Sequence, residues 1–214
     1  VRLERREREL LAGAAEVVTL SRTDADRLRA WSVPARPLPL PLRPVPDPVT
    51  SRPRSIGFIG KAGWPPNAEA LDVLLGPVHE ALVARGVSVD VVLGGAGTEV
   101  HRDHPWVRRS GPVEDLGAFY DEVGLVVVPR LGESTGVSVK VLEAAEHGVP
   151  VVVPASLAAA IDPDGPWEVA DEPEDLAEAI ARWAASDGAG AATAAWAARQ
   201  RPRATAEAVF SALR

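Results

Sequence analysis

Residues 124–154 read GLVVVPRLGESTGVSVKVLEAAEHGVPVVVP, and their pattern decides the fold class. Leu125 to Val128 is a short β-branched run ended by Pro129, the mark of a strand buried on both faces. Arg130 to Gly136 is polar and carries two glycines, which makes it a loop at the carboxyl end of that strand. Ser138 to His147 has helical spacing, Gly148 stops it, and Pro150 to Val153 supplies the next buried strand. Strand, loop, helix and strand in that order form a parallel crossover unit. In open α/β sheets ligands bind outside the carboxyl ends of the strands, where this loop and helix start lie.

The helix carries two different faces. At about 100° per residue, Lys140, Glu143 and His147 share one narrow arc, while Val137, Val141, Ala144 and Ala145 fill the adjoining apolar sector. The loop before it contains glycine, and free backbone N–H groups at a helix start can hold an anion. A carboxylate cannot bind phosphate, but it can accept two hydrogen bonds from a sugar diol. Loop amides for phosphates beside a carboxylate for hydroxyls suit a nucleotide sugar. The same spacing also fits a solvated face with an i,i+3 ion pair.

Composition narrows the function classes. A chain of 214 residues with 46% hydrophobic content can bury a core in one large or two small domains. A net charge of −7 and a pI near 5.2 argue against nucleic-acid binding, which needs a basic stripe. The absence of cysteine leaves no disulfide framework or thiolate metal site and fits a reducing, cytoplasmic setting. No apolar run reaches the roughly 20 residues of a membrane span. Positive charge is almost all arginine: the two lysines, Lys61 and Lys140, both fall near expected strand ends.

Working outward, residues 2–11 (RLERRERELL) form a charged helix, and Ala15 to Leu20 a strand. Ser21 with Asp24 three residues on is a capping-box pattern, opening a helix from Asp24 to Trp31. A lone strand here would leave its backbone groups unpaired, and nothing upstream supplies a sheet. Residues 34–53 (PARPLPLPLRPVPDPVTSRP) are too rich in proline for a helix and read as an extended linker. Ile56 to Ile59 begins the second domain. Gly60-Lys61-Ala62-Gly63 turns out of that strand, and Asn67 is placed as N-cap of a helix carrying Leu71, Leu74, Val78 and Leu82. A Gly-Lys turn there lets an ammonium reach a diphosphate, although the P-loop spacing is absent.

Val87 to Leu93 is the next strand, followed by Gly94-Gly95-Ala96-Gly97, which lacks the order of a dinucleotide fingerprint. His101 and His104 bracket Asp103 without helical spacing or a third ligand, so they read as surface histidines and no metal is expected. Val107 to Val113 is a strand, and Glu114-Asp115-Leu116 starts a helix that buries Leu116, Phe119 and Tyr120. Arg108 and Arg109 fit a place near phosphate or a solvated face, and solvent is the favoured reading. After Val153, Ala155 to Ile161 is a short helix or turn and Trp167 to Val169 a last strand. Glu172 to Ala185 is an amphipathic helix with Pro173 at its start and acids in its first turn. Gly188 to Gly190 breaks it, and two further helices follow over 191–199 and 202–213.

The stretch from Gly136 through Lys140, Val141, Leu142, Glu143, Ala144 and Ala145 to Gly148, Val149 and Pro150 resembles the donor-binding motif of group 1 (family 4) retaining glycosyltransferases of GT-B fold. Members commonly carry two glutamates with seven residues between them. Here Glu133 and Glu143 have nine residues between them, and the strict spacing falls on Thr135. The chain is closer to the branch with a Gly-rich loop and a lysine three residues before the glutamate. FIGKAGWPPNAEAL (58–71) is similar to that branch's first strand, turn and helix, and residues 111–116 to a segment whose backbone lines the nucleotide base. Residues 2–31 resemble the last helix–strand–helix of the acceptor-binding half.

The resemblance implies a Rossmann-like parallel sheet with helices on both faces and a nucleotide-diphosphate-sugar donor, with no further cofactor. It divides the chain into an acceptor-domain remnant (1–33), a Pro-rich linker (34–54), a donor-binding domain (55–200) and a C-terminal helix (201–214) that returns toward the first half. The missing acceptor half would come from the same enzyme or a partner chain, and this piece alone would not catalyse. By the same carry-over Glu143 holds the donor ribose, and Lys61, beside Gly60, works with Lys140 on the diphosphate. Backbone of Ser134, Thr135, Gly136 and Val137 supports the phosphates, Gly111, Pro112 and Val113 border the base, and Glu133 contacts sugar hydroxyls as the catalytic candidate. Without transfer, the same chain would be a stand-alone nucleotide-binding or interaction module.

Overall fold

The computed structural model describes residues 2–38, 40, 42, 53–100, 104–130, 136–186, 190–200 and 211. The main sheet contains β3 (Ser55–Ile59), β4 (Asp90–Gly94), β5 (Val107–Gly111), β6 (Leu125–Val127), β7 (Val151–Val153) and β8 (Glu168–Val169). All are parallel, in the order β5-β4-β3-β6-β7-β8. The chain enters at β3, steps outward to β5, then crosses back to β6 and steps outward the other way. The direction reverses between β3 and β6, so the crevice beyond their carboxyl ends is the topological switch point at which doubly wound sheets bind ligands.

The valine runs become central strands because both of their faces are covered. Val126, Val128, Val151 and Val153 pack on one side with Phe119, Tyr120, Val141 and Ala144. Leu125, Val127 and Val152 pack on the other with Leu71, Leu74, Val78 and Leu176. That alternation is the period of two expected of a pleated strand. Helices α5 (Leu116–Asp121) and α6 (Val139–Glu146) cover the first side, with α7 (Ala155–Ile161) and α9 (Gly190–Gln200) beyond them. Helices α3 (Pro65–Val73), α4 (His79–Ala84) and α8 (Pro173–Ala185) cover the second. A π-helical turn over Leu74–Val78 joins α3 to α4 and contains Gly76 and Pro77. Pro77 has no N–H to offer an α-helical bond, and the wider turn absorbs the missing donor.

The front of the chain is a separate small layer. Helix α1 (Arg2–Leu11) precedes β1 (Val17–Thr19), and α2 (Arg22–Ala30) leads to β2 (Ala35–Pro37). The N-cap bond of that pattern forms, with Ser21 Oγ accepting from the Asp24 N–H at 3.1 Å, although the helix begins at Arg22 rather than Asp24. The sequence leaves the first strand without a partner. The structure supplies one from downstream: β2 pairs with it in parallel, Val17 opposite Ala35 and Thr19 opposite Pro37. The Pro-rich stretch therefore starts as an edge strand, a place where proline is tolerated.

Other boundaries also differ from the sequence reading, β1 and β5 being shorter than expected. Asn67 is not an N-cap; Trp64 holds that position without a side-chain bond, and Pro65 and Pro66 open the helix. Two prolines at the first turn lose no helical bond, which leaves the Asn67 side chain for other work. Helix α5 starts at Leu116, capped by Asp115, whose Oδ1 accepts from the Ala118 N–H. The second strand of the main sheet begins at Asp90, three residues later than expected, with Val89 already buried ahead of it. The helix expected over 202–213 lies outside the described residues, apart from position 211.

Glycines let the loops at the carboxyl ends cross closely. The Gly60 N–H donates to Gly94 O at 2.8 Å, the Gly95 N–H to Gly111 O at 2.7 Å, and the Ala62 N–H to Ala96 O at 2.9 Å. Gly95 has φ +114°, and a Cβ there would stand 2.3 Å from the Gly60 carbonyl oxygen. Gly95→Ala is expected to cost about 2–3 kcal/mol of stability, measured by urea denaturation. Stability within a few tenths of the parent would show that this crossing is not tight.

Candidate functional site

The switch point is bridged by side chains from both sides. Lys140, in the first turn of α6, sends its Nζ to Asn67 Oδ1 on α3, a hydrogen bond of 2.7 Å. Asn67 Nδ2 donates in turn to the backbone oxygen of Lys61 at 2.9 Å. Gly60 lies beneath this link: a Cβ there would be 2.7 Å from Asn67 Nδ2 and 3.1 Å from Lys140 Nζ. A residue from each flank of the crevice thus meets over a glycine that leaves room for them. Asn67 is buried, while the side chain of Lys61 is exposed at the turn.

Lys140 lies in a partly desolvated place. Its ammonium is 4.2 Å from the centroid of the Phe58 ring, and that ring is fully buried. Burial, then the nearby positive charge of Arg130, pull its pKa down to about 8, against a smaller opposing pull from Glu143. Arg130, at the exit of β6, lays its guanidinium over the Trp64 ring at 5.1 Å. Among the described residues none of Lys61, Arg130 and Lys140 is in a salt bridge. Arg130 close enough to depress the proton affinity of Lys140, with no salt bridge to either among the described residues, makes a place for an anion.

Glu143 lies one turn further along α6. Its Oε2 accepts from the Tyr120 hydroxyl at 3.1 Å. Tyr120 is buried, packs edge-on to Phe119 and stacks on His147 at 4.8 Å. Burial, with the Glu143 charge second, pushes the phenol well above its usual range, so it stays protonated and remains a donor. The carboxylate is therefore oriented by a fixed group on α5 rather than by an ion pair with Lys140, whose ammonium goes to Asn67 instead.

The remaining expected residues fall as follows. Gly60, the backbone of Lys61 and the side chain of Lys140 are brought together at the β3–β6 crevice through Asn67. Gly111, at φ +65°, is joined to it through the bond from Gly95, and Val113 packs toward Gly94 and Phe119. Pro112 lies between them in the chain. Gly136 takes φ +76° and Val137 packs on the core just before α6. Ser138 makes no side-chain cap there. Glu133, Ser134 and Thr135 lie outside the described residues.

Two participants escaped the sequence reading. The sequence pattern places Asn67 at a helix end and Arg130 in a loop; for Arg130 the available signal is an arginine just past a strand that ends in proline. A cavity of about 750 Å³ opens at the opposite, amino ends of the strands, lined by Ser55, Asp90, Trp106 and Arg108. Two arginines, Arg54 and Arg108, line that space together with Asp90, Asp121 and Glu122, and Arg108 is paired with Glu122 at 2.9 Å. Among the described residues no group of three potential metal ligands occurs. No helix among them is long and apolar enough to cross a membrane.

A family model described as glycosyl transferases group 1 matches residues 53–186. The chain belongs to that family. Its match covers β3 to α8, the whole sheet that positions the crevice. Solved glycosyltransferase-fold structures agree. A mutant of TarM from S. aureus, in complex with Fondaparinux, alpha-GlcNAc-glycerol and UDP, superposes with a TM-score of 0.74 at 15% identity, over 99% of this chain and 45% of TarM. The GtfA/B complex gives 0.71 at 14% identity, over 100% and 47%. Anabaena HepE with UDP and glucose gives 0.61 at 14% identity, over 87% and 59%. At such identities the likeness is one of fold, and the chain spans less than two thirds of each of these structures. A comparison with curated proteins found no match.

The lowered Lys140 pKa fixes a pH dependence for this group 1 chain. Between about 8 and 10.5 the unfolded lysine is charged and the folded one largely neutral, so the unfolded state binds more protons. Stability of the ligand-free protein therefore rises with pH across that window. Lys140→Met is expected to flatten the rise, read from urea midpoints at several pH values. An unchanged slope in the variant would assign the effect elsewhere.

Proposed function

We propose that this chain is the donor-binding half of a retaining glycosyltransferase that uses a nucleotide-diphosphate sugar. The observation that carries the reading is the set of cations, free of salt bridges among the described residues, gathered at the β3–β6 switch point one helical turn from an oriented carboxylate. The bond from the anomeric carbon to the diphosphate oxygen breaks during transfer, and negative charge accumulates on the departing nucleotide diphosphate. Preorganised cations lower the cost of that charge without moving at the moment of reaction. Lys61 and Lys140 take this role, helped by backbone amides of 134–137. Glu143, held by Tyr120, accepts from the ribose hydroxyls. Gly111, Pro112 and Val113 border the base, and Glu133 contacts the transferred sugar.

The division follows the same reading. Residues 1–33 are a remnant of the acceptor-binding half, 34–54 a linker, 55–200 the donor domain, and 201–214 a helix directed back toward the missing half. That half comes from the same enzyme or a partner chain, and without it the chain binds donor but does not transfer. UDP, present in TarM and HepE, is the first nucleotide to try. A chain without cysteine suits the cytoplasm.

Calorimetry with UDP, GDP, dTDP and ADP is expected to show binding of at least one. Glu143→Ala is expected to weaken that binding by about 1.5–3 kcal/mol, the usual worth of hydrogen bonds to a charged group. Equal affinity in a folded variant would remove Glu143 from the site. No heat with any nucleotide would favour an interaction module that keeps the fold alone.

A further inference from the structure

We infer that Arg130 is a third diphosphate-binding cation and that Trp64 is the platform that holds it ready at the rim of the crevice. The inference rests on the donor-site reading above and adds two residues to it. Arg130 leaves β6 on one side of the switch point, and Trp64 precedes α3 on the other. Their contact at 5.1 Å spans the crevice mouth, as the Lys140–Asn67 bond spans its floor.

Three observations point the guanidinium toward an anion. Among the described residues Arg130 is in no salt bridge, although the chain carries a net charge of −7 and acidic residues are plentiful. Arg130 is close enough to Lys140 for its charge to depress that lysine's proton affinity. Two like charges held together at a ligand crevice cost free energy until an anion lies between them. Finally, Trp64 remains 47% exposed despite the stacked guanidinium, an unusual outlay of aromatic surface unless that surface does something.

A guanidinium on an aromatic face is held by attraction to the ring and keeps its edge N–H donors directed outward. Those edge donors match two oxygens of a phosphate in a bidentate pair. A lysine in the same place would supply charge without that fork. Trp64 therefore acts as a positioning residue through Arg130. The preferred ligand is a diphosphate rather than a monophosphate, because Lys140 on the floor and Arg130 at the rim serve two successive phosphates.

The test uses the full chain with inorganic pyrophosphate, UDP and UMP as probes, followed by calorimetry across pH. The parent is expected to bind UDP more tightly than UMP and to bind pyrophosphate measurably. Arg130→Ala is expected to lose about tenfold in affinity for pyrophosphate and UDP and much less for UMP. It should also move the pH midpoint of diphosphate binding upward, since Lys140 no longer feels a neighbouring charge. Arg130→Lys should restore that midpoint but recover only part of the affinity. Trp64→Leu should lose about threefold for the diphosphates, with Trp64→Phe recovering it. Pyrophosphate and UDP affinities in Arg130→Ala within twofold of the parent, with an unshifted midpoint and an unchanged melting temperature, would overturn the inference while leaving the donor site standing. A parent that binds neither pyrophosphate nor any nucleotide would overturn both.

Discussion

The hydrogen bond from Lys140 to Asn67 ties together the two halves of a doubly wound sheet at the place where its winding reverses. Each helix alone is ordinary. The constraint is that a charged ammonium and a buried amide have to meet above the carboxyl ends of β3 and β6. The meeting requires Gly60 beneath it, because any Cβ would fill the space that Asn67 and Lys140 occupy. It requires the Phe58 ring as a floor that tolerates a cation. It also requires the neighbouring loops to cross without side chains, which Gly95 allows by lying against the Gly60 carbonyl. The glycines after β3 and β4 therefore serve one geometry rather than a nucleotide fingerprint of their own.

From this constraint the division of labour in the crevice follows. Lys140 is held by an amide and not by a carboxylate, which leaves its charge unneutralised, while burial and the nearby Arg130 depress its proton affinity. The carboxylate that the sequence places on the same helical arc is turned to a buried phenol on the neighbouring helix. Positive and negative groups on one short helix are thus kept from neutralising each other. Two successive turns of α6 present a cation and a carboxylate to different partners. The group 1 family match over 53–186 spans every element that enforces this separation.

Much of the fold was legible because it depends on short-range pattern. The runs at 125–128 and 150–153 could only be strands covered on both sides, and the amphipathic stretch at 173–185 could only be a helix. What the sequence did not show depends on long-range approach. Asn67 and Lys140 are 73 positions apart, and Tyr120 and Glu143 are 23 apart, so no local rule ties either pair. Asn67 looked like an N-cap because the amide suits that role, but two preceding prolines had already opened the helix. The partner of β1 was invisible for a different reason. Proline argues against a central strand, and the edge position that tolerates it emerges only once Ala35 to Pro37 lie beside Val17 to Thr19.

The central claim, that a diphosphate lies on Lys140, is tested most directly by the protons exchanged on binding. Calorimetry of UDP at pH 8, in two buffers of different ionisation enthalpy, measures that number. With its pKa at about 8, Lys140 is half deprotonated in the free protein, and an adjacent diphosphate restores the charge. The account predicts an uptake of about half a proton, absent in Lys140→Met. Tight binding of UDP with no proton exchanged, or the same uptake in the variant, would contradict it.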